Sequence, residues 1–194
     1  MSDKLNPIIK FKEWFDLATE KEINDPNAMC LSTVDDKNTP HSRMVLLKDY
    51  NNEGFIFYTN YESNKGNDIL KNANVCLNFH WKSLLRQIRI EGKVEKVSKE
   101  TSDKYFNSRH YLRIGAWASN QSKVLKSRED LENKIEFYKK KYPEKENFPR
   151  PDYWGGFIVK YSKIEFWEDM PHRIHKREVF EFKDNDWVSY TLSP

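Results

Sequence analysis

Short apolar runs separated by turn-forming clusters constrain this chain more than any other feature of its sequence. Ala28 to Val34, Arg43 to Lys48 and Gly54 to Thr59 each read as a strand. Asp35-Asp36-Lys37-Asn38 and Asn51-Asn52-Glu53-Gly54 join them and are rich in the residues that turns require. Links this short make antiparallel hairpins, because a parallel crossover needs a much longer connection. Val75 to His80 and Arg86 to Val97 add two more strands, and runs near 155–168, 173–183 and 186–192 add three. Within 86–97, Ile88 and Ile90 face one way while Gln87, Arg89 and Glu91 face the other. One side of that strand is core and the opposite side is polar.

Helices punctuate this pattern. Phe11, Trp14, Phe15 and Ala18 recur at helical spacing, which predicts an amphipathic helix over about 8–23. Ser63 suits the cap of a short helix to about Lys71, and Ser98 opens another to about Arg109. Ser127 heads a charged helix to about Tyr142, with Glu129 and Asp130 in its first turn. No repeat or composition break divides the chain. The expectation is one domain over 1–194, with the N-terminal helical segment 1–25 packed on it. Its class is mainly β (α+β): an antiparallel barrel with peripheral helices. Twelve Phe, ten Tyr and six Trp in 194 residues supply a sizeable core.

Several functions are disfavoured at once. The six glycines form neither a Gly-x-Gly-x-x-Gly turn nor a Walker-type loop, so any bound phosphate must be held by cationic side chains and hydroxyls. A net charge of +3 neither demands nor excludes nucleic acid, and no nucleic-acid partner is expected. Cys30 and Cys76 lack metal-ligand spacing, so no metal is expected and both read as buried free thiols in a reducing compartment. No apolar run reaches membrane-spanning length, and a soluble, cytoplasmic protein with no membrane partner is expected.

The chemistry-bearing residues come in small groups. Arg43 and Lys48 bracket an apolar strand but nominally face opposite sides. Tyr58-Thr59 ends the next strand, and Lys65 lies at a helix start behind Ser63, an arrangement that serves equally as an anion site or an ordinary cap. Tyr105 and Arg109 stand four apart on one helix face, while Gln121-Ser122 follows a segment that suits a loop or a ligand contact. In 173–177, an extended strand would align Arg173, His175 and Arg177 on one face and turn Ile174 into the core. Two guanidinium groups around an imidazole suit a planar anion. A solvated basic edge, paired with Glu178 and Asp169, is the plain alternative.

Taken in order, these pieces resemble the pyridoxine (pyridoxamine) 5′-phosphate oxidase family, from about Asn6 to Pro194. The resemblance is carried by Arg43-Met44-Val45-Leu46-Leu47-Lys48, Phe57-Tyr58-Thr59-Asn60, Arg86 to Gly92, Tyr105 to Arg109, Ile114 to Ser122, Trp154-Gly155-Gly156-Phe157 and Ile164 to Arg177. It implies an FMN-binding split barrel that forms a homodimer, each site drawing on both chains. The implied FMN site comprises Arg43, Met44, Val45, Leu46, Leu47, Lys48, Tyr58, Thr59, Lys65, Gln87, Gln121, Ser122, Trp167 and Arg177. The implied substrate site comprises Lys48, Tyr105, Arg109, Arg173 and His175, with Arg173 and His175 as the catalytic pair. The implied reaction oxidises pyridoxine 5′-phosphate or pyridoxamine 5′-phosphate to pyridoxal 5′-phosphate, with O2 as acceptor.

The chain departs from the family pattern in places. Asn64 stands where the family usually has arginine, Glu168 and Lys176 are unusual inside the signature, and the loop from Arg109 to Ile114 is one residue short. The family's basic-aromatic N-terminal segment is not recognisable near Lys4-Leu5. Two alternatives stand beside the oxidase: a related FMN oxidase of the phenazine pathway acting on another planar anion, and a noncatalytic flavin-binding module.

Overall fold

The computed structural model describes residues 5–110, 113–143 and 148–194. Lys4 and part of the shortened loop, Tyr111 and Leu112, lie outside the described residues. The chain opens with helix α1 (Pro7–Lys21), whose first turn is capped by the Asn6 side chain accepting from the Ile8 N–H at 3.0 Å. Strands β1 (Ala28–Val34), β2 (Pro40–Leu46), β3 (Asp49–Asn51) and β4 (Gly54–Asn60) follow, then helix α2 (Asn64–Lys71). Strands β5 (Asn74–Trp81) and β6 (Arg86–Lys96) lead to helices α3 (Lys99–Asn107), α4 (Arg113–Ala118) and α5 (Arg128–Lys141). Strands β7 (Trp154–Glu168), β8 (Lys176–Lys183) and β9 (Asp186–Thr191) close the chain.

All strand pairs are antiparallel, in the order β2-β1-β5-β6-β7-β4-β3, with β8 on β7 and β9 on β8. The 15-residue β7 is the spine. Its first half pairs with β4, its second half with β8, and β6 runs along both, with a register shift at Glu91/Gly92. Such bulges bend and twist a sheet, and this one curls into a split barrel.

The concave face carries Leu31, Phe55, Phe57, Leu77, Phe79, Ile88, Ile90, Ile164 and Phe166, all nearly inaccessible to solvent. Helix α1 packs on this core through Phe11, whose ring meets Tyr50 and Phe55 edge-on at 4.8 Å each. Full burial of such a ring is worth about 1.5–3 kcal/mol. The alternation within β6 is as expected, with Ile88 and Ile90 inward. Ser63, Ser98 and Ser127 each cap the helix they precede.

Several expectations are corrected. Strand β2 starts at Pro40, not Arg43, since proline is tolerated at the first residue of a strand. The segment Gly115 to Ser119, which suits a loop or a ligand contact, is not a loop but lies in α4 up to Ala118. Helix α3 ends at Asn107, so Arg109 lies beyond its cap rather than on its face. Cys30 and Cys76 are free but only half-buried. The largest difference concerns the basic run. Residues 171–174 form a tight turn, closed by the Ile174 N–H donating to the Pro171 carbonyl at 3.3 Å, with left-handed backbone at His172 and Arg173 (φ 62° each), and β8 begins only at Lys176. Ile174 is therefore 65% exposed instead of buried, and truncating it is not expected to cost the fold a core contact.

Candidate active site

Three clusters gather most of the anticipated residues. The first lies between β4, β2 and the start of α2. Lys65 is buried beside the helix N-terminus, and its ammonium donates to the Thr59 hydroxyl at 3.1 Å and the Ser63 hydroxyl at 3.4 Å. Among the described residues no carboxylate pairs with it. Burial lowers its pKa, and the positive charge of Arg43 lowers it further. Arg43 donates to the Thr33 hydroxyl at 2.6 Å and the Leu31 carbonyl at 3.3 Å. Gln121 joins from the loop after α4, its Oε1 accepting from Thr59 at 3.4 Å. Ser122 follows with a left-handed backbone (φ 69°). Two buried or half-buried cations with hydroxyls and a helix N-terminus make a pocket chemically suited to a phosphate dianion, without a glycine-rich loop.

The second cluster centres on Tyr58, the residue before Thr59 on β4. The Tyr58 and Tyr105 rings stack with centroids 3.7 Å apart, and Trp154 continues the stack at 5.8 Å from Tyr58. Gly156 makes this possible: a Cβ there would come within 2.8 Å of the Tyr58 ring. Burial, and secondarily the Tyr105 phenol, pushes the Tyr58 pKa up to about 12, so Tyr58 stays a neutral hydrogen-bond donor at physiological pH. The Arg109 guanidinium lies 5.3 Å from the Tyr105 ring centroid. Lys48 has its pKa lowered chiefly by burial and then by Arg109, with Asp25 acting in the opposite direction. Lys48, Tyr105 and Arg109 thus come together although Arg109 lies past the end of α3. Within the 43–48 run, Met44 and Leu46 are exposed, Val45 packs against the core and Leu47 is buried.

The third cluster lies at the far end of β7. Gln87, Trp167 and Arg177 occupy one rung across β6, β7 and β8. The His175 ring sits 4.6 Å from that of Trp167, and its Nδ1 lies 2.8 Å from an Asp169 carboxylate oxygen. Arg177 donates through Nε to Glu165 at 2.7 Å and through Nη1 to the Ser193 carbonyl at 3.1 Å. Glu165 is buried and also pairs with Arg89 at 3.1 Å. Its bond raises the Arg177 pKa. Arg173 lies in the 171–174 turn, exposed. From Gly156, opposite Tyr58, to Trp167 runs about 36 Å of extended strand at ~3.3 Å per residue.

Some supporting residues escaped the sequence reading. Glu165 sits inside a recognisable motif, and the shared strand face of Arg89 and Glu165 was the available clue. Thr33 and Asp68, behind Arg43, are 35 residues apart in sequence, and no local pattern joins them. The departures Glu168 and Lys176 prove to be cross-strand partners, with Nζ 3.8 Å from the carboxylate. Arg86 holds the same Glu168 at 2.8 Å and lies 4.3 Å from the Trp14 ring centroid, joining β6, β7 and α1.

Residues 15–141 match the family described as pyridoxamine 5'-phosphate oxidase, and residues 154–194 match the pyridoxine 5'-phosphate oxidase C-terminal dimerisation region. The chain belongs to the pyridoxine/pyridoxamine 5′-phosphate oxidase family. A pyridoxine/pyridoxamine 5'-phosphate oxidase of Pelagibacter ubique (strain HTCC1062) is 50% identical over 194 residues, covering 99% of this chain and 93% of that protein. One of the same name from Bartonella quintana (strain Toulouse) is 53% identical over 192 residues, covering 97% and 92%. Among solved structures, PhzG from Burkholderia lata 383 in complex with tetrahydrophenazine-1-carboxylic acid superposes with a TM-score of 0.89 at 26% identity, covering 100% of this chain and 95% of that one. A pyridoxamine 5'-phosphate oxidase-related, FMN binding protein from Nostoc punctiforme PCC 73102, at 13% identity and TM-score 0.76, shares the fold, covering 95% and 97%. Membership of the oxidase family makes this chain a flavin-dependent oxidoreductase.

Proposed function

We propose that the chain is an FMN-dependent pyridoxine/pyridoxamine 5′-phosphate oxidase, working as a homodimer in the cytoplasm. The observation that carries this reading is two pairs of cations around β4, Lys65 with Arg43 beside Thr59 and Lys48 with Arg109 beside the Tyr58–Tyr105 stack. The first suits the cofactor phosphate and the second the substrate phosphate. When bound, FMN supplies a hydride acceptor that O2 reoxidises, releasing hydrogen peroxide. Lys65, Arg43, Thr59 and Gln121 hold the phosphate end, while Tyr58, with the 43–48 run and Ser122, lines the cofactor. Lys48, Tyr105 and Arg109 bind the substrate.

Trp167, Gln87 and Arg177 act at the ring end. A cation there favours the negative charge that a reduced flavin ring develops. The phosphate and ring clusters lie at opposite ends of β7, which supports a site whose ring end comes from the second subunit. Arg173 and His175 then lie over the substrate ring and orient it. The match of residues 154–194 to a dimerisation region accords with this arrangement.

Peroxide formation with pyridoxine 5′-phosphate tests the reading. No peroxide from that substrate, together with turnover of a reduced phenazine carboxylate, would replace it with the phenazine-pathway alternative. A colourless purified protein that cannot be loaded with FMN would end both.

Asn64 bears on affinity. It is exposed in the first turn of α2, beside Lys65. Asn64→Arg is expected to tighten FMN binding, since an added charge-assisted hydrogen bond is worth about 1.5–3 kcal/mol before solvent screening reduces it. Fluorescence titration with FMN measures this, and an unchanged Kd would mean that the pocket is already saturated with donors.

A further inference from the structure

We propose that Thr33 and Asp68 are positioning residues for the cofactor phosphate, fixing the guanidinium of Arg43 from behind. The inference rests on the phosphate pocket described under the proposed function. Thr33 is wholly buried on β1 and Asp68 is buried on α2. The Thr33 hydroxyl donates to Asp68 Oδ2 at 2.7 Å and accepts from Arg43 Nη1 at 2.6 Å.

A hydroxyl has a single proton. With that proton committed to a carboxylate, the lone pairs of Thr33 are turned to Arg43, and the hydroxyl becomes a directional acceptor. The Leu31 carbonyl takes a second bond from the same nitrogen at 3.3 Å, and Arg43 Nη2 lies 3.6 Å from Asp68 Oδ2. His41 Nδ1 faces that oxygen at 3.1 Å. The guanidinium is thereby gripped along one edge, leaving the remaining donors in one orientation.

Helix α2 organises both sides of the pocket. Lys65 and Asp68 stand three residues apart on its buried face. One turn therefore delivers a cation to the ligand and an anion behind the second cation. Asp68 also offsets part of the repulsion between Arg43 and Lys65.

A plain structural role, in which the buried cluster merely ties α2 to β1 and β2, predicts something different, and a mutant cycle separates the two. The full chain is titrated with FMN in the wild type, Thr33→Val, Arg43→Met and the double variant, with circular dichroism as the check on folding. Thr33→Val is nearly isosteric and removes only the hydroxyl. It is expected to weaken FMN binding about tenfold, the worth of one well-placed hydrogen bond to a charged group. Thr33→Ser should restore most of the loss. In the Arg43→Met background the valine should cost nothing more, because the guanidinium it positions is gone.

An unchanged FMN affinity in Thr33→Val, or an equal loss with and without Arg43, overturns the proposal. If Arg43→Met and Lys65→Met each leave FMN affinity intact, the phosphate pocket itself is refuted and the proposal falls with it. Thr33→Cys, similar in size with only a weak hydrogen-bonding group, serves in the same cycle if the valine chain does not fold.

Discussion

Replacing Arg173 with alanine is expected to lower kcat/KM for pyridoxine 5′-phosphate on the order of 100-fold while FMN stays bound. Arg173 takes no part in the packing of the fold. It is exposed, and it has no hydrogen-bond or ion-pair partner among the described residues. Its loss should therefore leave the fold intact. Yet its backbone and that of His172 are both left-handed, a conformation that costs a non-glycine residue about 1–3 kcal/mol. The Ile174 N–H closes this turn on the Pro171 carbonyl at 3.3 Å, and the turn leaves the Arg173 guanidinium exposed and available to a ligand.

His175→Ala should act in the same direction but less strongly, since the ring is steadied by Trp167 and Asp169 and offers fewer donors. Steady-state kinetics with flavin occupancy measured on each variant decides the matter. Near-normal turnover in both variants would make the turn a solvated basic loop.

The second large effect concerns Lys65, and its two parts have opposite signs. Lys65→Met should weaken FMN binding on the order of 100-fold, because a buried ammonium facing a phosphate dianion makes more than one charge-assisted bond, each worth about 1.5–3 kcal/mol. The same change should raise the melting temperature of the flavin-free chain. Without a phosphate, Lys65 is a buried cation with hydroxyl partners and a neighbouring like charge, an arrangement that costs stability.

The pH dependence has a definite sign. The folded pKa of Lys65 lies below that of a free lysine, so the flavin-free fold bears the penalty while Lys65 is protonated and sheds it as pH rises from the folded pKa to that of a free lysine. Thermal melts without flavin, paired with FMN titrations, test both parts. Affinity and stability falling together would mean that Lys65 is a structural residue.

The barrel was legible wherever a single physical period ruled. Strands β1, β4, β5 and β6 alternate or run apolar between turn residues, and serine caps announced α2, α3 and α5. Reading failed where local signals imitated a different structure. Arg173-Ile174-His175-Lys176-Arg177 has the period of a strand, but Pro171 begins a turn there, and nothing in composition signals left-handed backbone at His172 and Arg173. Helix α4 is one and a half turns long and contains Gly115, too brief and too glycine-broken to show a helical period.

The site followed the same logic. Lys65 behind Ser63 was readable as a helix N-terminus. Arg43 and Thr33 are diagonal neighbours across the β1–β2 hairpin, but the contact of Thr33 with Asp68 depends on α2 folding back over β1, a tertiary event without a local signature.

The length of β7 has a genetic corollary. If phosphate and ring ends of one site belong to different chains, damage at the two ends is separable. A dimer that lacks Lys65 in one chain and Arg173 in the other concentrates both lesions in one of its two sites and leaves the second whole. Two alleles that are each inactive alone can then rescue one another in the same cell.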